Sequence, residues 1–302
     1  MSVPGSFVNR LLRATFVLPQ GKFPGTDSNT LVLEGYRMSA ELQQSGNFTN
    51  FLSLDVNGMR QADMQALSVI FAPAQGSSVV PTALNARALV ILEASEGSGY
   101  LQVFEGQFQQ AQAKYDGIPF VALHVEAAAG AGQQYLRTPP QGFSGTTQVA
   151  GLCEQLAGQM GFGFENNGVT GTLEKPYLSG TLMDQFREVC TAAGVDYYFD
   201  AKSTLIICPK NQPRQNQPTQ VLSPSSGLRG YVTLEQYGIS LDCLFSAARS
   251  LGSPFELQDS DVPGTNGMWY PFSANHKLES IKPGGSWFSH LQCGPAPISA
   301  ST

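Results

Sequence analysis

The sequence predicts an α+β protein, mainly β, in which two β-barrel or sandwich domains flank a small α/β domain. Three observations predict it. Apolar and polar residues alternate with period two over most of residues 1–135 and again over 221–302. Between them, two stretches adopt the 3.6-residue period of amphipathic helices. The changes of period fall at Gly/Ala-rich and Pro/Gln-rich breaks. A chain of 302 residues also exceeds what one hydrophobic core usually serves.

The first β domain is expected over 1–135. Leu12, Ala14, Phe16 and Leu18 alternate with Arg13, Thr15 and Val17, a strand that ends at Pro19. Leu31 to Leu42 and Phe51 to Val56 read as extended segments around the loop Ser45-Gly46-Asn47. Met59, Ala62, Met64 and Leu67 have the spacing of a short helix. Leu89 to Leu92 and Tyr100 to Phe104 flank Glu96-Gly97-Ser98-Gly99, which reads as a hairpin. Gln107 to Tyr115 sets Gln110, Gln112 and Lys114 against Ala111, Ala113 and Tyr115. Asp116-Gly117 then turns the chain into Phe120 to Glu126, where Val121, Leu123 and Val125 share a face. The Ala127 to Gly132 run and Pro139-Pro140 mark a linker, placed at 136–143.

The α/β domain follows over 144–209, in the order α-β-β-α-β-β. Val149, Leu152, Cys153, Leu156, Ala157 and Met160 form one apolar stripe, with Thr146 as the expected N-cap and Gly161 as the stop. Phe162 to Glu165, the turn Asn166-Asn167-Gly168 and Val169 to Leu173 read as a hairpin. A second helix starts at Thr181 with Asp184 three residues on, buries Leu182, Phe186, Val189, Cys190 and Ala193, and stops at Gly194. Val195 to Phe199 and Thr204 to Cys208 form another hairpin. Residues 210–220, rich in proline and glutamine, read as a second linker. In the last domain, 221–302, Ile239, Leu241, Cys243 and Phe245 face one way, and Trp287, Ser289, Leu291 and Cys293 repeat the pattern. Pro295 to Thr302 reads as a frayed tail.

Charge is sparse. Asp, Glu, Lys and Arg make up 13% of the chain, against roughly 25% in ordinary soluble domains, and glutamine occurs 25 times. Solitary proteins keep charged surfaces for solubility, whereas interface cores are depleted of charge. The composition therefore points to a surface covered by neighbouring subunits. The net charge of −6 and the lack of a basic run exclude binding of nucleic acid led by phosphate contacts. No stretch approaches the ~20 apolar residues of a membrane span, so no stable membrane insertion is expected. The first residues, Met1 to Ser6, lack the regions of a signal peptide, which fits a product made and assembled in the cytoplasm. Cys153, Cys190, Cys208, Cys243 and Cys293 are widely spaced within apolar runs, as core thiols are.

No motif announces chemistry. His124 alternates with Leu123 and Val125 on a strand; His276 and His290 share the last domain with Cys243 and Cys293 but lack the close ligand pairs of zinc sites. Ser286 and Ser289 neighbour His290 without an orienting carboxylate nearby. Glu154, Asp184 and Glu188 fall on polar helix faces. Neither Gly97-Ser98-Gly99 nor Gly130-Ala131-Gly132 completes a dinucleotide fingerprint. The expectation is no catalytic residue, no cofactor-binding residue and no metal ligand, and a protein that is not an enzyme. A glycan-binding module or wall hydrolase is the alternative from another class, with Tyr231, Tyr237, Trp269, Tyr270 and Trp287 as its aromatic platform.

The order of several segments resembles the baseplate hub proteins of contractile-tailed bacteriophages. Leu31 to Ala40 is similar to that family's early strand pair, and Leu52 to Met59 with Met64 and Leu67 to its strand-then-helix element. Val103 to Ala111 resembles the next strand pair, and Pro176 to Gly194 the central domain. Gly238 to Phe245, Asn266 to Tyr270, His276 to Ser280 and Pro283 to Trp287 resemble the C-terminal part. The resemblance implies two tail-tube-like barrels per chain and a homotrimer forming a pseudo-sixfold ring. It implies a virion location in the tail baseplate and a lumen that DNA only transits during genome ejection. The partners implied are a central spike or tail-tip protein, tail tube or tube-initiator proteins and baseplate wedge proteins, with a tape measure protein as a further candidate. Another tail protein on the same barrel is the nearest alternative, and pyocin-like particles use related parts.

Overall fold

A computed structural model describes residues 9–46, 49–70, 88–97, 99–115, 121–133 and 137–296. The expected turn at Asp116-Gly117, and the tail beyond residue 296, lie outside the described residues. Strand accounts for 50% and helix for 13%, so the chain is mainly β, in an α+β arrangement.

The first segment carries β1 (Leu11–Val17), β2 (Thr30–Glu34), β3 (Arg37–Ser45), β4 (Thr49–Asn57), α1 (Gln61–Leu67), β5 (Val69–Ile70), β6 (Leu89–Ser95), β7 (Tyr100–Lys114) and β8 (Ala122–Ala128). Alternation sets their faces as expected: Leu12, Ala14 and Phe16 are buried along β1, and Leu52, Leu54 and Val56 along β4. The two strands expected at Tyr100 to Phe104 and Gln107 to Tyr115 are one strand. The first half of β7 pairs with β6 and the second half with β8. Apolar residues of β1 and β6 share one core with those of β3, β4 and β8. Strands β6, β1 and β2 thus fold back as an outer layer over β3, β4 and β8. Gly106 lies where β7 leaves one layer for the other; a Cβ there would stand 2.8 Å from the Ala128 carbonyl carbon.

The middle segment holds β9 (Gln141–Gly142), β10 (Thr146–Gln148), α2 (Val149–Met160), β11 (Gly163–Asn166), β12 (Thr172–Glu174), β13 (Tyr177–Leu178), α3 (Leu182–Ala193), β14 (Val195–Phe199) and β15 (Thr204–Pro209). The capping box at Thr181 and Asp184 and the left-handed stops at Gly161 and Gly194 are all present. Thr146, however, lies in β10 opposite Glu174, and Gln148 precedes α2 with no side-chain cap. The hairpin expected over 162–173 does not form. Instead β11 runs parallel to β15, and the Asn166 side chain closes the following loop on Val169 N–H and C=O. The β14–β15 hairpin forms as expected. Leu205 and Ile207 face the helices, whereas Ile206 and Cys208 join Leu222, Ile239, Leu241 and Phe255 in a third core. Burial on both faces explains the unbroken apolar run of β15.

The last segment comprises β16 (Gln220–Leu222), β17 (Leu228–Glu235), β18 (Gly238–Leu244), β19 (Phe255–Leu257), β20 (Gly267–Ser280) and β21 (Trp287–Pro295). Here the structure departs from two separate barrels. One 14-stranded sheet runs β17-β18-β21-β20-β3-β4-β8-β7-β6-β1-β2, through both β segments. The joint is β20 against β3, Ser273 to Ser280 antiparallel to Ser45 to Met38. Among the described residues the path has two ends, so no barrel closes. The reason is local: Gly35, at φ 78°, turns the chain from β2 in the outer layer to β3 in the inner one, and the two strands do not pair. The first core also takes Phe245, Leu278 and Trp287 from the last segment. Within the second segment read as a linker Arg214 is buried; its backbone N–H donates to Gly252 C=O while its guanidinium is bidentate on Glu165.

Candidate functional site

Where the sequence hinted at chemistry, the structure disperses the groups. His276 is buried, with Nδ1 2.8 Å from Ser289 Oγ and its ring edge-on to Phe245. Burial, helped by the nearby Arg249 charge, pushes its pKa down to about 4, so the ring is neutral. His290 Nδ1 lies 2.9 Å from Asp242 Oδ1 on the exposed face. His124 Nδ1 lies 2.8 Å from Asp55 Oδ1, with Lys114 3.6 Å from the same carboxylate oxygen. All five cysteines are free and buried, and burial pushes the Cys208 thiol up to about 12 and raises that of Cys243. Among the described residues no cluster of histidine, cysteine and carboxylates has the grouping of a metal site. Ser286 N–H donates to Glu279 rather than meeting His290. Glu154 and Glu188 are exposed, while Asp184 is absorbed in the helix cap, where the Thr181 hydroxyl holds its pKa below the usual carboxylate range.

The aromatic platform also divides. Trp287 and Tyr270 are core residues, and Trp269 Nε1–H donates to Thr265 C=O. Tyr231 and Tyr237 are 77% and 78% exposed, and Leu234 beside them is 63% exposed. These three stand on β17 and its turn, at one end of the sheet path. A strand that ends a sheet presents unpaired N–H and C=O groups, and exposed apolar side chains there mark a surface built to be covered. Sequence alternation alone conceals this, because a covered edge and a half-buried strand read alike.

The eight strands β17-β18-β21-β20-β3-β4-β8-β7 form an all-antiparallel row, and the face turned away from the cores is polar. Registered positions run across both β segments: Glu279 opposite Ser39, Ser39 opposite Asp55, Asp55 opposite His124, His124 opposite Gln112. Carboxylates Glu41, Asp55, Glu126 and Glu279 share this face with a few cations. Lys114 meets Asp55 and Arg229 stacks 3.8 Å over the Phe288 ring, while Arg37 and Lys277, in phase with Ser39 and Glu279, are exposed. Two recesses lie elsewhere. A cavity of about 430 Å³ sits where the three segments meet, beside Arg249, His276 and Gln102, and a cleft of about 850 Å³ lies between Tyr237, Tyr270 and Phe272.

Comparison with known proteins gives the frame for this geometry. The fold is similar to a tail protein from Neisseria meningitidis MC58 (TM-score 0.62, 9% identity), over 96% of this chain and 98% of that one. It is similar to the 43 kDa tail protein of prophage MuSo2 from Shewanella oneidensis (0.58, 9%), over 98% and 100%. It is also similar to the E. coli c3393 protein, a type VI secretion component described as resembling the T4 tail proteins gp27 and gp5 (0.59, 11%), over 92% and 77%. No curated protein matches the sequence. The model of one family, described as baseplate hub gp41, matches residues 11–282, and the chain therefore belongs to this family of structural phage tail proteins.

Proposed function

We propose that three copies of this chain close into a ring at the centre of the baseplate, with the polar face of the eight-strand row lining a channel for DNA. One observation carries this reading: the row is built twice. Reading from one end, β7-β8-β4-β3 is followed by β20-β21-β18-β17. Each set opens with a long bulged strand. In β7 the bulge lies between Phe108 and Gln110, in β20 between Pro271 and Ser273. Each long strand turns into a partner through a hairpin, and each set ends on the first strand of another hairpin, β3–β4 or β17–β18. Two such sets per chain give a trimer six-fold pseudo-symmetry, the tail-tube-like pair expected from sequence. An even number of antiparallel strands also lets one copy meet the next without a parallel mismatch.

The carboxylates Glu41, Asp55, Glu126 and Glu279 on this face support the channel assignment, since a wall dominated by lysines and arginines would hold phosphates by counterion release. The α/β domain, stacked on the outer side of the last β segment, leaves its helices available to spike or wedge proteins. Tube, tube-initiator and tape measure proteins would meet the ring's upper rim, and assembly would proceed in the host cytoplasm. Light scattering of the purified chain, followed by symmetric reconstruction of the particle, tests this reading. A threefold ring on the tail axis is the expected result; a monomer lying peripheral to that axis overturns it. Activity in zymography or glycan-binding assays would instead favour the module of another class.

A further inference from the structure

The two sets of four strands differ at one place, and the difference identifies what a second copy must displace. On β20, the edge away from β21 is used twice. Its start, Gly267 to Trp269, pairs with β19 of the outer layer, and Ser273 to Ser280 pairs with β3. On β7, the edge away from β8 starts the same way, with Tyr100 to Gln107 on β6. Beyond the bulge, where β20 would receive β3, β7 receives β5, with Val69 opposite Ala111 and Ile70 opposite Gln110 among the described residues. Aligning the bulges sets Ala111 on Ala274 and Gln110 on Ser273. On β20 those two residues face Gln44 and Ser45, the last residues of β3.

We propose that β5 is a stand-in strand, and that β17 of a second copy replaces it on β7 as the ring closes. The proposal rests on the ring reading above. The internal β20–β3 joint serves as its template, because β17 corresponds to β3 as the first strand of the equivalent hairpin. Transferring that register across the hairpin turns places Leu234 opposite Ala111 and Val232 opposite Ala113 of the second copy. Thr233 then faces Gln112, and Glu235 faces Gln110. Side chains match by face under this register. Ala111 and Val232 are both buried on the core side of their strands, and Leu234, at 63% exposure, gains a core-side neighbour. Gln112 and Thr233 lie on the polar side, continuing the row that includes His124 and Asp55. Strand polarity agrees, since the alternating directions along the row make β17 antiparallel to the next copy's β7. In the isolated chain β5 shields an edge that would otherwise capture any free strand. The incoming strand repeats on that edge the joint that β3 makes with β20, so exchange is favoured once copies meet.

Two variants and one exchange measurement test the idea on the full chain. Thr233→Cys together with Gln112→Cys should give disulfide-linked species up to a trimer on non-reducing gels under mild oxidation. The Val69→Pro/Ile70→Pro variant, which cannot donate from β5, should reach trimer at least several-fold faster than the parent. Amide exchange at residues 69–70 should become faster on trimer formation, while residues 110–114 become protected. If trimers form but the cysteines do not link and the proline variant assembles at the parental rate, the stand-in strand is refuted and the ring survives. If no variant and no parent chain associates, the ring reading falls and the exchange with it.

Discussion

At the residue scale, burial explains most of the side chains that looked chemical. His276 is the sharpest case: its neutral ring fills a core position next to Phe245 and Ser289. A base whose folded pKa lies near 4 and whose unfolded value is near 6.5 takes up a proton on unfolding between those limits. Stability should therefore be full above about pH 6.5 and fall by about 3 kcal/mol as the pH drops to 4. Urea unfolding at pH 7 and pH 4.5 checks this, with His276→Gln losing that part of the pH dependence. Phe186 is fully buried in the second core, its ring edge-on to Tyr197 at 5.2 Å between centroids. Phe186→Ala should cost ~3–5 kcal/mol and lower the melting temperature; an unchanged melt would remove the α3 face from the core. The cysteines read correctly from their apolar settings, whereas Gln185, fully buried at the start of α3, was not legible as a core residue because its polarity argues the other way.

Elements were legible where the signal is local. The α3 cap is an example: Thr181 Oγ1 accepts from Asp184 N–H at 3.1 Å, and Asp184 Oδ2 accepts from Thr181 N–H at 3.1 Å. Residues three apart in sequence make that contact, so the sequence contains it entirely. The hairpin expected over 162–173 failed for the opposite reason. Its turn residues Asn166-Asn167-Gly168 do turn the chain, but β11 found a better edge on β15, which lies some forty residues on. Arg214 ties this arrangement together. Its guanidinium, nearly fully buried, bridges Glu165 at the end of β11 and Ser250 in the last segment. Burial raises the Glu165 pKa, but hydrogen bonds from Arg214 and Asn167, with the Arg214 charge, outweigh it and leave that pKa lowered. Arg214→Ala should cost about 3 kcal/mol, since it leaves a half-buried carboxylate unpaired. Thermal unfolding of that variant is the check, and loss of protection against proteolysis at 210–220 should accompany it.

For the whole molecule, the governing feature is a sheet that passes from one β segment into the other through β20 and β3 and ends on the apolar edge of β17. Leu234→Lys places a charge at that edge, on a side chain that is exposed in the isolated chain. The expected outcome is loss of trimer in light scattering, with monomer stability unchanged within about 0.5 kcal/mol. Equal trimer from that variant would exclude β17 from the interface. The low charge of the chain fits the same picture at this scale. On the sheet face Lys114, His124 and His290 lie beside carboxylates, with polar amides and hydroxyls between them.

By itself the sequence determined the α+β class, the faces of nearly all strands, both main helices with their glycine stops, and, through the order of its segments, the baseplate hub family. All of these rest on spacings of a few residues, or on order along the chain. The tertiary structure alone decided which edges meet. Alternation states which face of a strand is apolar, but every strand carries the same backbone donors and acceptors on both edges, so nothing in β3 names β20 as its neighbour. That choice follows from two layers folding until their long bulged strands lie alongside open edges. It turned two expected barrels into one continuous sheet, buried Arg214 within an expected linker, and left β17 and β2 at the two ends of the sheet path among the described residues.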